Sequence, residues 1–320
     1  MRTRLKKHLP TLLKIAVTVI GIVIVLNSVE LGDVGAVFAD VRWVWVVVSL
    51  LLITCGLVLR AYRWQLLLHG LKVPVSFGRL VTLYFVGNFF NAFLLSGFGG
   101  DVVRILEVAK NVPRNVAAGT VLVDRLSGLL MLFAMSLIAL PFRPASFDPQ
   151  LTLVIIVLST VGLGVGVVLL EGSLIRRFGR WLPGKLSPVG DGPVAKLLDA
   201  VNGSGRSAIL GALAISTLFN LLLVTWWLTA GLALGYEISY SYYLIVIPIL
   251  SVATLVPSVS GFGVRESLAP TLFAAAGLAN AEAVALSLLV FIIMRVSSLL
   301  GGPVYIATTL RRREQLPVNE

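Results

Sequence analysis

Long apolar runs recur along this chain, and each has to be kept away from water. Six of them lie approximately at Thr11–Asn27, Trp43–Leu59, Val116–Leu140, Leu151–Leu170, Ser207–Leu234 and Ala281–Leu310. Each approaches or exceeds the ~20 residues that a helix rising about 1.5 Å per residue needs to cross a bilayer. Two further stretches, Leu80–Leu95 and Tyr240–Val256, are shorter, and each leads into a Gly-rich break. Only 13% of the 320 residues are charged and 58% are hydrophobic, with a mean hydropathy of +0.97. A soluble domain carries about 25% charged residues. The expected fold is an all-α polytopic membrane protein. It has six full spans and two re-entrant, Gly-broken hairpins arranged as an inverted repeat. The membrane domain is expected over residues 1–310, with halves at about 11–140 and 151–310, a cytosolic loop at 171–206 and a polar tail at 311–320.

Orientation follows from the basic residues. The N-terminal segment carries Arg2, Arg4, Lys6, Lys7 and Lys14, and the next connection holds Glu30, Asp33 and Asp40. Basic groups return at Arg60, Arg63, Lys72 and Arg79, at Arg104, Lys110 and Arg114, through the loop from Arg176 to Arg206, and at Arg311–Arg313. These groups share one face only if the stretch Leu80–Leu95 enters and leaves by the same side. Cytosolic loops carry the Lys/Arg excess, so both termini are expected in the cytosol, at the cell membrane. The same reasoning makes Tyr240–Val256 re-entrant from outside, flanked by Glu237 and Glu282. The first run, with no small-residue cleavage pattern after it, reads as an uncleaved span. The net charge of +11 then reads as this topology signal, and nucleic acid is not the expected partner.

The most informative motif is a self-match. Ser96-Gly97-Phe98-Gly99 recurs as Ser260-Gly261-Phe262-Gly263, and an acid and an arginine follow each copy: Asp101 and Arg104 after the first, Arg265 and Glu266 after the second. Paired Gly- or Pro-interrupted segments at matching positions of two halves point to a transporter's binding site. Gly97, Gly99 and Gly100 in one copy, and Pro257, Gly261 and Gly263 in the other, allow a helix to break there. Each helix that restarts presents unpaired N–H groups and a partial positive dipole, which suit an anion.

A charge at the centre of a membrane helix costs about 2.5–3.5 kcal/mol on the insertion scale. Arg295, Asp124 and Arg125 lie within spans, and Asp101, Arg104, Arg265 and Glu266 border the breaks. Two readings stay open. The groups pair internally, Asp124 with an arginine and Glu266 with Arg265 or Arg295. Alternatively, the arginines form a pocket for phosphate, which guanidinium binds in bidentate fashion, and the acids orient them or carry protons. Arg60 and Arg63 read as interfacial anchors in preference to ligands. Asn88, Asn91 and Asn220 either line a cavity or bond between helices. The single Cys55 and the two histidines, His8 and His69, make no metal-ligand or catalytic spacing, so no metal, cofactor or catalytic residue is expected.

The strings Gly99-Gly100-Asp101-Val102-Val103-Arg104, Asp124-Arg125-Leu126-Ser127-Gly128 and Gly261-Phe262-Gly263-Val264-Arg265-Glu266 resemble the flippase-like family, also described as the lysylphosphatidylglycerol synthase transmembrane region. The resemblance covers nearly the whole chain, from the first span to Arg313. It implies a membrane domain that translocates lipids, similar to the part of the two-domain synthases that flips aminoacylated phosphatidylglycerol. Other relatives are linked to polyprenyl-phosphate sugar pathways. The soluble aminoacyltransferase domain of those synthases is lacking here, so synthesis of the lysyl lipid is not expected. The leading expectation is a flippase or scramblase for a lipid with an anionic, phosphate-bearing headgroup. An intramembrane transferase using Asp124 or Glu266 as base, and a non-transporting partner of a lipid-modifying enzyme, are the alternatives. A homodimer is compatible with each.

Overall fold

The computed structural model describes residues 18–27, 29–93, 99–110, 112–171, 175, 177, 195, 198–199, 201, 203–254 and 262–314. Among them the principal elements are all helical: α1 Thr18–Asn27, α2 Leu31–Val37, α3 Trp43–Gly70, α4 Phe77–Phe93, α5 Gly99–Val108 and α6 Arg114–Ala139. They continue with α7 Pro149–Glu171, α8 Arg206–Ala233, α9 Tyr240–Ala253, α10 Val264–Phe273, α11 Asn280–Leu299 and α12 Gly301–Glu314. Five described helical runs are long and apolar enough to cross a membrane: α3, α6 extended to Phe142, α7, α8, and α11 continued through α12 to Thr308. Of the first expected span, only the part from Thr18 falls within the described residues.

Three boundaries differ from the hydropathy reading. The second span does not stop at Leu59 but runs on to Gly70. Arg60 and Arg63 depress hydropathy there, yet arginine is a good helix former, and the Arg63 side chain is buried while that of Arg60 is half-buried. The last span is interrupted at Leu300. Gly301 sits so close to α4 that a Cβ would overlap the Phe85 carbonyl oxygen, and Pro303 fits the first turn of the new helix, where no amide donor is needed. The connection Glu30–Arg42 contains a helix of its own, α2, whose Val34 packs on Val284 and Ala285 of α11.

The longest helices, α3 and α8, have 28 residues each, about 42 Å at 1.5 Å per residue. They pack antiparallel along their length. Ser49 Oγ meets Thr229 Oγ1 at 2.7 Å near one end, and Arg63 Nη1 donates to Ser216 Oγ at 3.0 Å nearer the other. Between them, Gly56 admits the Phe219 ring.

The two shorter apolar stretches each form an antiparallel helical pair. In α4–α5, Arg79 Nη2 donates to the Glu107 carbonyl at 3.3 Å, and Gly87 faces Gly100. In α9–α10, Tyr242 Oη donates to the Leu272 carbonyl at 2.6 Å, and the Tyr243 ring meets Phe273 edge-on at 6.0 Å. The order long helix, broken hairpin, long helix therefore occurs twice, as α3–α6 and as α8–α11. The second limb of each hairpin has 10 residues.

The larger apolar core lies in the second of these units, around Trp227, Tyr243, Phe273, Leu286 and Val290, and a smaller one surrounds Trp64, Leu80 and Val121 in the first. Leu153, Val157, Val161 and Val165 of α7 are exposed, as a lipid-facing side requires.

Candidate functional site

The charged residues gather at two places. In the first, Asp124 of α6 is fully buried and accepts from three helices. Arg63 Nε of α3 donates to Oδ1 at 2.7 Å, Arg104 Nη2 of α5 donates to Oδ2 at 2.9 Å, and the Tyr84 hydroxyl of α4 also donates to Oδ2. Asp101 of α5 accepts from Arg104 Nη1 at 3.3 Å and from Arg125 Nε. Carboxylates beside guanidiniums at these distances offset much of the cost of burial. The Arg104 guanidinium also lies over the Trp64 and Tyr84 rings, at 4.2 and 4.0 Å, while its Nε is buried without a hydrogen-bond partner.

Arg63 is 2% exposed, which overturns its reading as an interfacial anchor. Asp124 neutralises it inside the bundle. Hydropathy could not reveal this, because the partner stands on another helix.

In the second place, the start of α10 folds back on itself. Arg265 Nη2 donates to Glu266 Oε1 at 2.7 Å, and Arg265 Nε donates to Ser287 Oγ of α11 at 3.1 Å. Glu266 Oε2 in turn accepts from the Gly263 amide at 2.8 Å, capping the helix. In the first hairpin, one residue past the position that matches Gly263, the Gly100 amide donates to Asn91 Oδ1 at 2.6 Å. These two amides were expected to be available to an anion; the chain's own side chains take them instead, because a buried N–H left unpaired is costly. Ser96, Gly97, Ser260 and Gly261 lie outside the described residues. Arg295 Nη1 donates to the Ala92 carbonyl at 2.8 Å, tying α11 to the tip of α4, and its guanidinium sits over Phe291 at 4.6 Å.

Between these two clusters lies a cavity of ≈ 280 Å³, just below the usual range for small-molecule sites. Gly56 and Leu57 of α3 and Phe219 of α8 line it at the midpoints of the two longest helices. Its polar lining comes from both units: Arg60 and Asn88 from the first, and Ser251, Thr254 and Arg265 from the second. Leucines, Ile53, Trp226, Trp227 and Met294 make the rest.

Of the residues expected from the sequence to bind substrate, Asn88 and Arg265 face this cavity. Asp101, Arg104, Asp124 and Arg125 form the neighbouring ion-pair cluster, and Asn91 and Glu266 brace the hairpin tips. Asn220 Nδ2 donates to the Gly128 carbonyl at 3.0 Å, a bond between helices. Sequence reasoning assigned Arg60 to the interface and passed over Tyr84, Ser216 and Ser287. The available signal for Arg60 was its spacing: three residues before Arg63, it lies on the same side of any helix that continues past Leu59.

The lysylphosphatidylglycerol synthase TM region model matches residues 11–302. The chain is also similar to the UPF0104 membrane protein PH1989 of Pyrococcus horikoshii, 26% identical over 327 residues that cover 93% of this chain and 96% of that protein. A multi-pass helical bundle carrying both Gly-broken hairpins inside the matched region agrees with that similarity, and the chain belongs to the lysylphosphatidylglycerol synthase TM region family.

Proposed function

We infer that this protein is a lipid transporter, a flippase or scramblase that moves a lipid with an anionic, phosphate-bearing headgroup between leaflets. The observation that carries this reading is the cavity at the mid-length of α3 and α8, which takes one arginine from each of the two hairpin-containing units. A headgroup crossing hydrocarbon needs a polar resting place near mid-depth, and guanidinium groups suit phosphate. The cavity has room for a headgroup while the acyl chains stay among the apolar side chains or in the bilayer.

In this reading the α4–α5 hairpin dips in from the cytosolic face and α9–α10 from the outer face, with both termini cytosolic. The two units are then an inverted repeat, a relation that the antiparallel packing of α3 on α8 supports. Non-helical backbone at membrane depth is tolerated where protein or a polar cavity satisfies it. Asn91 and Glu266 do so at the two tips.

The state of the carboxylates supports transport over intramembrane group transfer. Asp124 accepts from two arginines and a tyrosine, and Glu266 from an arginine, a serine and an amide, so neither stands ready as a general base.

Reconstitution tests the proposal. Liposomes holding the purified protein and a head-labelled phosphatidylglycerol or polyprenyl phosphate should expose inner-leaflet label to an impermeant quencher faster than protein-free liposomes. Equal rates for both lipid classes with and without protein would contradict transport. A lipid of changed mass after incubation would favour the transferase.

A further inference from the structure

We propose that Arg60 binds the headgroup, and that the site selects an anionic phosphodiester lipid carrying no cationic group, excluding aminoacylated and zwitterionic headgroups. This rests on the reading of the cavity as a lipid site.

The two arginines lining the cavity are in different states. Arg265 spends its Nε and Nη2 donors on Glu266 and Ser287. Arg60 makes no hydrogen bond and no ion pair among the described residues. It is held instead by aromatic rings, with its guanidinium carbon 5.2 Å from the centroid of Tyr84 and 5.5 Å from that of Phe219. A guanidinium held against rings keeps the N–H donors along its edge, five in a planar fork, for a ligand. Tyr84 is itself fixed, since its hydroxyl donates to Asp124. The position of Arg60 is thus set by groups that do not neutralise it.

A cation at this depth with no carboxylate in ion-pair contact is costly, and membrane proteins carry one chiefly where it serves an ion or substrate path. A phosphodiester supplies the missing charge and two acceptor oxygens, the geometry that arginine recognises.

The same inventory decides what is turned away. Among the described residues, no Asp or Glu lines the cavity. In the clusters on either side, Asp124 and Glu266 already accept from arginines. A choline or lysyl group brought into this space would place a further cation beside Arg60 and Arg265 with no carboxylate to receive it, and an unpaired buried charge is strongly disfavoured.

The test is equilibrium binding to the full-length protein in detergent, read by native mass spectrometry, with phosphatidylglycerol, phosphatidylcholine and lysyl-phosphatidylglycerol as probes. Phosphatidylglycerol should bind tighter than either of the others by on the order of tenfold or more, the scale of one charged hydrogen bond. Arg60→Gln should remove that preference while the melting temperature stays close to the parent, and Arg60→Lys should keep part of it. Asn88→Asp, which adds a carboxylate to the lining, should shift the preference toward the lysyl lipid. Equal affinity for the three probes, or an unchanged preference in Arg60→Gln, would overturn the proposal. Selective binding without translocation in liposomes would overturn the transporter reading and leave the headgroup assignment standing.

Discussion

Asp124 and Arg60 lie close together and do opposite things. Asp124 gathers donors from α3, α4 and α5 onto α6, so its loss strands two arginines in the interior. Breaking a buried pair by removing one partner costs about 3–5 kcal/mol. Asp124→Ala should therefore lower the melting temperature sharply, or prevent recovery of folded protein from detergent. Arg60 contributes only its contacts with rings, about 0.5–1 kcal/mol each at modest exposure. Arg60→Gln should accordingly melt within a few degrees of the parent, and a large loss in that variant would show that Arg60 has a structural role. The ionisable residues were legible in the sequence as a set, but their pairing was not. The partners of Asp124 stand 61, 40 and 20 residues away, so only the fold brings them together. Arg60 was misread because a hydropathy window averages it with Arg63 and ends the span before both.

Among the helices, glycine sets how closely the broken hairpins dock. A Cβ on Gly100 would overlap the Gly87 carbonyl oxygen across the α4–α5 pair. Gly263 has φ +85°, a backbone state costly for other residues, and its Cβ would lie 2.7 Å from the Thr18 carbonyl oxygen of α1. Gly100→Ala and Gly263→Ala should each cost about 1–3 kcal/mol, as overpacking does, measured by thermal melting in detergent. Gly164, in α7, has open space around it. Gly164→Ala should be neutral or gain up to about 1 kcal/mol from helix propensity. The breaks themselves were visible in the sequence as the repeated Ser-Gly-Phe-Gly. What lay beyond sequence reach was that the tips satisfy their own amides, because Asn91 and Glu266 act through side-chain geometry rather than pattern. The interruption at Leu300 was hidden for a related reason: hydropathy stays high across it, and the cause is a neighbouring backbone.

At the scale of the whole molecule, the apolar runs carried most of the helical architecture, since bilayer crossing depends on length and composition. The account stands on two hairpins that open to opposite faces and meet one cavity near mid-depth, and topology tests this most directly. In a Cys55→Ala background, single cysteines at Ser76→Cys and Lys110→Cys mark the two ends of the first hairpin, and Glu237→Cys and Ala279→Cys mark those of the second. Sealed vesicles of known orientation are then treated with a membrane-impermeant maleimide. The account predicts that Ser76→Cys and Lys110→Cys react from one side only, and that Glu237→Cys and Ala279→Cys react only from the other. Labelling of either pair from opposite sides would mean that its hairpin crosses the bilayer, and would contradict the account.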